Sequence, residues 1–349
     1  MLWVNSAKGI GIILIILGHL LYSSNMPWLS QIIYSFHTPL FFILSGYVQK
    51  KGTKPGFIRK RAKRLLIPYI AFSVIGIPYF GLRLFRQGLS FPEILSDFLY
   101  VNGEVSNHPL WFLVALFEIS AMIRIIRYPQ RSTNVQILIL LLFVFLGEWV
   151  YSFSQQFRYL RFFGLNKALV CSVFYMAGIL IRKIRLPRNP WLIIIPSLIL
   201  TVLFGTVLNS KISIYQFQFG TYWYFFVASL SGSFLVMHIC RTWLDKECFL
   251  SKLSGYAILF LGFQYFIIIP FREEMGRLSL AKTGLYDIAM FILCAVIVIL
   301  LPLLYEWVKK KVGIVRVFNG EYGCFHQSTD TLPVSGKEEV NTSENRSGE

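Results

Sequence analysis

Residues 1–24, MLWVNSAKGIGIILIILGHLLYSS, decide how the rest of the chain is read. The run is apolar and long enough to cross a bilayer, which takes about 20 residues. It nevertheless carries Lys8 near one end and His19 near the other. On a helix the two stand about three turns apart and about 20° around the axis, so they share a face, and Asn5 falls on that face too. An ionisable residue in a spanning helix costs roughly 2.5–3.5 kcal/mol on insertion scales, so such a face turns toward protein or a wet cavity. The stretch reads as a helix lining an active-site channel, with the remaining chain built around it.

Composition agrees. The chain has 349 residues, 55% hydrophobic and 17% aromatic with only 15% charged, which is too apolar for a soluble domain and suits an all-α, polytopic membrane protein. The first helix does not read as a cleaved signal peptide: its apolar run is long, no small-x-small site follows it, and Ser23–Met26 reads as a turn. The net charge of +17 sits in short loops between apolar segments, so membrane orientation explains it better than a nucleic-acid partner. Cys171, Cys240, Cys248, Cys294 and Cys324 form no CxxC pair and read as reduced packing residues, with neither a metal nor a disulfide framework.

Apolar segments of spanning length recur about ten times, near 4–22, 30–49, 65–85, 108–127, 135–152, 165–182, 190–208, 219–240, 253–271 and 283–308. The loops after even-numbered segments carry eight, three, four and three Lys or Arg residues in turn. Those after odd-numbered segments are diluted by Glu93, Asp97, Glu104, Glu273 and Glu274. The positive-inside rule then puts both termini in the cytoplasm, and Lys309–Lys311 agree. Residues 86–107 read as a short interfacial helix and a turn on the outside. The membrane domain is expected over 1–310, and residues 319–349, rich in Ser, Thr and Glu, read as a disordered cytoplasmic tail. The sequons at Asn341 and Asn345 read as chance matches in that tail.

With this topology His19 lies in the outer half of the bilayer, and His37 on the second helix reaches a similar depth. Beside it, Pro39 leaves a backbone carbonyl without its helical partner. An imidazole can take a proton from an attacking hydroxyl; the alternative is that each histidine bonds a neighbouring helix and packs. The cluster KPGFIRKRAKRLLIPY reads mostly as a solvated loop, except that Arg64 stands close to Pro68, where the third span enters the membrane. Lys8, Arg61 and Arg64 could make an anion site open to the cytoplasm, suited to a phosphorylated donor. On the fourth segment His108 and Trp111 stand at the outer entrance and Glu118 at depth, where it could pair with Lys8 or an arginine or orient a histidine. Glu148 on the fifth either contacts the acceptor or meets water. Gln264 reads as an interhelical hydrogen bonder.

Taken in order, these segments resemble the acyltransferase 3 family of integral membrane acyltransferases, in its fucose 4-O-acetylase-like branch. AKGIGIILIILGH, with Lys8 and His19, resembles the family's opening helix. FHTPLFFILSGY, with His37, Ser45 and Gly46, resembles its second-helix motif, and KRAKRLLIPY, with Arg64, its entry to the third. LWFLVALF and FYMAGILIRK resemble later segments, so the resemblance covers about residues 1–310. It implies transfer of an acetyl or similar acyl group from cytosolic acyl-CoA to a hydroxyl of a carbohydrate, on an exported or lipid-linked glycan, with no metal. By the same resemblance the basic residues, Lys8, Arg61 and Arg64, hold the CoA phosphates and His19 acts as general base. From their positions alone, Lys8, His37 and Glu118 read as catalytic partners of His19, and His108, Trp111 and Glu148 as residues that meet the acceptor. A transient acyl-enzyme stays open. Asn5, Lys8 and Gln264 depart from the residues common in relatives. Two other readings stay open at this level: a secondary transporter using intramembrane His, Glu and Lys, and a family member without catalysis serving as a scaffold.

Overall fold

The computed structural model describes residues 1–50, 55–82, 108–153, 162–184 and 189–321, with isolated positions (85, 88, 90–93, 96 and 187) between them. Most of the expected interfacial segment 86–107, the tail from residue 322 and Cys324 lie outside the described residues. Helices make the fold: α1 (Leu2–Leu20), α2 (Pro27–Tyr47), α3 (Phe57–Gly76), α4 (Trp111–Ile125), α5 (Thr133–Phe153), α6 (Leu165–Ile181), α7 (Trp191–Val202), α8 (Tyr222–Trp243), α9 (Phe249–Leu253), α10 (Ala257–Arg277) and α11 (Gly284–Lys311). The β structure among the described residues is one isolated bridge, Ser213 to Gln218.

Among the described residues, seven helical stretches are both long and apolar enough to cross a membrane: Leu2–Ser23, Phe57–Gly81, Thr133–Phe153, Phe162–Ile181, Tyr222–Trp243, Phe249–Arg277 and Gly284–Lys311. These seven do not confirm the expected number of about ten. Helix α4 has 15 residues, and the apolar helix Trp191–Val207 is also short. Helix α2 is long enough at 21 residues but is diluted by Ser, Gln, His, Thr and Pro. The burial pattern explains that dilution. Ser35, His37 and Gly46 of α2 are buried, so this helix faces protein and has no need of a lipid-compatible surface. The opposite holds for α5 and α11. Leu138, Leu141, Leu142 and Phe145 on α5, and Ile288, Phe291, Ile292 and Ile299 on α11, are exposed. At three- and four-residue spacing they form apolar stripes that suit lipid.

Helix α1 is the hub, touching α2, α8, α9, α10 and α11. One buried cluster gathers α1, α10 and α11 around Ile12, Ile16, Leu20, Tyr286 and Met290, and the Tyr286 hydroxyl donates to the Leu20 carbonyl at 2.6 Å. The larger cluster centres on α2, α4, α6 and α8, around Phe42, Phe174 and Phe225. Helices α2 and α6 approach at two reciprocal glycines: a Cβ at Gly46 would strike the Tyr175 carbonyl, and one at Gly178 the Ile43 carbonyl. Small residues allow such backbone contact between helices in lipid.

The proline in α2 behaves as its chemistry requires. Pro39 has no N–H for the Ser35 carbonyl, and the Ser229 hydroxyl on α8 donates to that oxygen at 2.7 Å. The basic cluster differs from expectation. It is not a loop: Phe57–Arg64 form the first turns of α3. Gly56, in the left-handed region at φ 75°, starts the helix, and the run of Lys and Arg that follows has good helix propensity.

Candidate active site

Lys8, His19, His37, Arg61, Arg64 and Trp111 line one cavity of about 310 Å³. Its basic end is made by Lys8 from α1 and by Arg61 and Arg64, which are one turn apart on α3. Ser254, Gly255 and Asn319 complete that end, and among the described residues no carboxylate lines the cavity. The Arg61 Nε donates to the Ser120 hydroxyl at 3.2 Å, which fixes the guanidinium against α4. Three cations converging with no carboxylate among the described lining residues give an electrostatic setting that suits an anion.

At the far end stands His19. Its Nδ1 lies 2.9 Å from the Tyr34 hydroxyl on α2 and 3.0 Å from the Tyr265 hydroxyl on α10. The Tyr265 ring meets the imidazole edge-on at a centroid distance of 4.8 Å. Two helices thus hold one ring. When Nδ1–H donates a hydrogen bond to a tyrosine oxygen, Nε2 is the basic nitrogen, so the bond at Nδ1 decides which nitrogen can accept a proton.

His37 is engaged differently. Its Nδ1 donates to the Ile33 carbonyl at 2.7 Å, and its Nε2 lies 3.0 Å from the Thr38 hydroxyl. Both ring nitrogens are therefore satisfied within α2 itself. The ring stands edge-on to Tyr34 at 5.1 Å, so it supports the tyrosine that contacts His19.

Of the other sequence candidates, Glu118, Glu148 and Asn5 stand outside this cavity's lining. Glu118 on α4 is outside it, and its Oε2 is buried without a hydrogen-bond partner. Glu148 lies on α5 near Tyr222, away from the lining. His108 begins the 3-10 turn His108–Leu110 before α4, and its side chain is outside the described residues. Asn5 is half-buried and likewise not in the lining. Gln264 is the clearest departure from expectation. It bonds no neighbouring helix: its side chain is fully buried, lines the cavity, and neither Nε2 nor Oε1 has a partner.

Several residues at the site were not singled out from the sequence. Tyr34 lies one turn before His37, and Tyr265 follows Gln264, so both were within reach of a helical-face argument. The segment between α7 and α8 offered no such signal. Asn209 shapes it by donating to the Phe219 carbonyl at 3.1 Å and accepting from the Thr221 N–H at 2.8 Å. Gln31 of α2 ties it down through the Asn209 and Ser210 carbonyls, at 2.8 and 3.0 Å. The loop so held brings Ser213 and Tyr215 into the cavity. Buried Lys167, at the start of α6, has its ammonium 5.7 Å from the Trp111 ring and 5.5 Å from that of Tyr215.

His19, Tyr34, Ser213, Tyr215 and Tyr265 also line a second cavity of about 930 Å³. The two cavities meet at the histidine. The first ends in Lys8, Arg61 and Arg64; the second runs to Tyr22, Lys211, Arg272 and Lys282.

The same residues sit inside a family-wide sequence pattern. Residues 1–308 match the acyltransferase domain of the acyltransferase 3 family. The chain belongs to this family. It is similar to nodulation protein NolL of Mesorhizobium japonicum (strain LMG 29417 / CECT 9101 / MAFF 303099), at 31% identity over 140 residues. That match spans 36% of this chain and 35% of the relative, so the chain covers about a third of the length of that curated relative. No solved structure matches. With several helices long and apolar enough to cross a membrane, this is a multi-pass membrane protein of the acyltransferase 3 family.

Proposed function

We propose that this protein transfers an acetyl or similar acyl group from acyl-CoA to a hydroxyl of a sugar, on an exported or cell-surface glycan. The observation that carries the reading is the junction of two cavities at His19, one basic and one opening away from it. Lys8, Arg61 and Arg64 suit the phosphates of CoA. A volume of about 310 Å³, at the small end for ligand pockets, suits the acyl-pantetheine arm, with the nucleotide held at the mouth. The distribution of Lys and Arg supports a cytoplasmic position for that mouth and for both termini. The same distribution supports residence in the cell membrane with the second cavity on the outside.

In this reading His19 Nε2 takes the proton of the acceptor hydroxyl as its oxygen attacks the thioester carbonyl. The C–S bond then breaks, and the thiolate leaves as CoA-SH with that proton. Tyr34 and Tyr265 hold the imidazole in the tautomer that this requires. The unpartnered Gln264 amide offers an N–H to the carbonyl oxygen as negative charge develops on it. Trp111 and His37 shape the wall, and the acyl group alone passes between the compartments.

The test is transfer of labelled acetyl from acetyl-CoA in membranes carrying His19→Ala, with glycans weighed by mass spectrometry. A loss of about 10²–10⁴ in rate is expected for removal of a general base. Unchanged acetyl content in the variant would overturn the reading.

A further inference from the structure

The second cavity has a charge pattern that its place beside His19 does not explain. Lys211 from the loop before α8, Arg272 from the last turns of α10 and Lys282 from the turn before α11 all line it, against one carboxylate among the described residues, Glu273. They come from three separate parts of the chain, so the excess is not a run of neighbouring lysines. Two of them are organised around one ring: Arg272 lies 4.4 Å and Lys211 5.9 Å from the Tyr22 centroid. Arg272 is further fixed by its Nε donating to the Ser23 hydroxyl at 3.3 Å, and the Lys282 N–H donates to the Ser23 carbonyl at 2.9 Å. Tyr22 and Ser23 follow directly on α1, the helix that carries His19. The anchors of these cations, Tyr22 and Ser23, therefore stand about one helical turn from His19 along the same stretch of chain.

A neutral sugar needs hydroxyl-directed hydrogen bonds and an aromatic face, and gains nothing from three positive charges. An anionic group gains from all of them: the Arg fork matches a carboxylate or phosphate, and a wall of one sign raises the local concentration of the opposite one. We propose that the second cavity is an anion-recognition site. The acceptor carries a carboxylate or phosphate close to the hydroxyl that receives the acyl group, and Arg272 and Lys211 bind it while Lys282 adds to the field. The word acceptor rests on the function proposed above; the anion site rests on the cavity alone.

The experiment uses the full chain in lipid nanodiscs and equilibrium dialysis with labelled glucose, glucuronate and glucose 1-phosphate. At low salt one or both anionic sugars are expected to bind about tenfold more tightly than glucose. Arg272→Gln and Lys211→Gln should each erode that preference and together abolish it, Arg272→Lys should keep most of it, and added salt should weaken it. Glu273→Gln, which removes the opposing charge, should strengthen anion binding. Tighter binding of glucuronate identifies a carboxylate-bearing sugar, and of glucose 1-phosphate a phosphate-bearing one. Equal binding of the three sugars, or a preference unchanged in the Arg272/Lys211 double variant, overturns the proposal. Anion binding without acetyl transfer in the assay above would leave the site standing and remove the transferase role. Transfer with equal binding of charged and neutral sugars would do the reverse.

Discussion

The hydroxyl of Ser229 supplies, at 2.7 Å, the hydrogen bond that Pro39 denies to the carbonyl of Ser35. Proline and serine lie on different helices, α2 and α8, and together they complete one backbone bond. Ser229→Ala should leave that carbonyl orphaned and cost about 1 kcal/mol, in line with polar contacts between membrane helices. Pro39→Ala restores a backbone N–H, so the two changes should be strongly non-additive. Thermal unfolding in detergent across the four chains reads the coupling; strict additivity would mean the bond carries no energy.

Tyr34 and Tyr265 both reach Nδ1 of His19. Tyr34→Phe and Tyr265→Phe should each lower kcat modestly, by less than about tenfold, because the other tyrosine still holds the ring. The double variant should lose about 10²-fold, the scale of a mis-set general base. Steady-state kinetics with acetyl-CoA checks this, with KM for the donor expected to stay unchanged.

Gln264 is fully buried with neither amide atom partnered. Leaving such a group unsatisfied costs about 1–3 kcal/mol. Gln264→Leu should therefore raise thermal stability while lowering kcat by about 10²–10³, the effect of losing one donor to a developing oxyanion. A stable variant with full activity would show that the amide has no part in the reaction.

The α2–α6 contact allows no extra atoms at Gly46 or Gly178, since each faces a backbone carbonyl. Gly46→Ala or Gly178→Ala should cost about 1–3 kcal/mol as the helices are forced apart. The shift is measured as a lowered unfolding midpoint.

Glu321 gives a pH dependence. It ion-pairs with Lys309 at 3.1 Å and accepts from Asn319 at 2.9 Å and Tyr305 at 3.2 Å. Burial raises its pKa, but the Asn319 amide and Lys309 outweigh burial and hold the carboxyl below its usual range. A depressed folded pKa stabilises above the unfolded value, near 4.3, and the contribution disappears as pH falls through the folded one. The difference in unfolding midpoint between the wild-type chain and Glu321→Gln should be present at neutral pH and vanish on acidification.

What could be read from the sequence follows from which signals are local. Lys8 and His19 share a helix, so their common face was legible from spacing alone, and the Pro39 carbonyl was legible from proline's missing N–H. The convergence of Arg61 and Arg64 with Lys8 followed from their place at the start of a span, although the turns around them proved helical. The surroundings of Glu118 and Gln264 were not legible because the partner of a polar residue at depth depends on helix rotation, which hydropathy does not encode. Tyr34 and Tyr265 escaped because tyrosine in an apolar helix carries no mark of its own. Ser213 and Tyr215 owe their positions to Asn209 and Gln31, contacts between distant parts of the chain.

The 3-10 turn Gly313–Asn319 lies past residue 308, where the family pattern ends. It is nonetheless wedged into the domain: Phe318 packs on Phe72 at 5.0 Å, Asn319 donates to the Gly255 carbonyl at 2.8 Å, and Asn319 helps to line the basic cavity. The module that defines the family is thus not the whole of the pocket. A chimera cut at that boundary would exchange membrane helices faithfully and still leave a gap beside Arg64. The shape of this cavity's basic end is then open to change through a few residues that lie beyond the family's shared pattern.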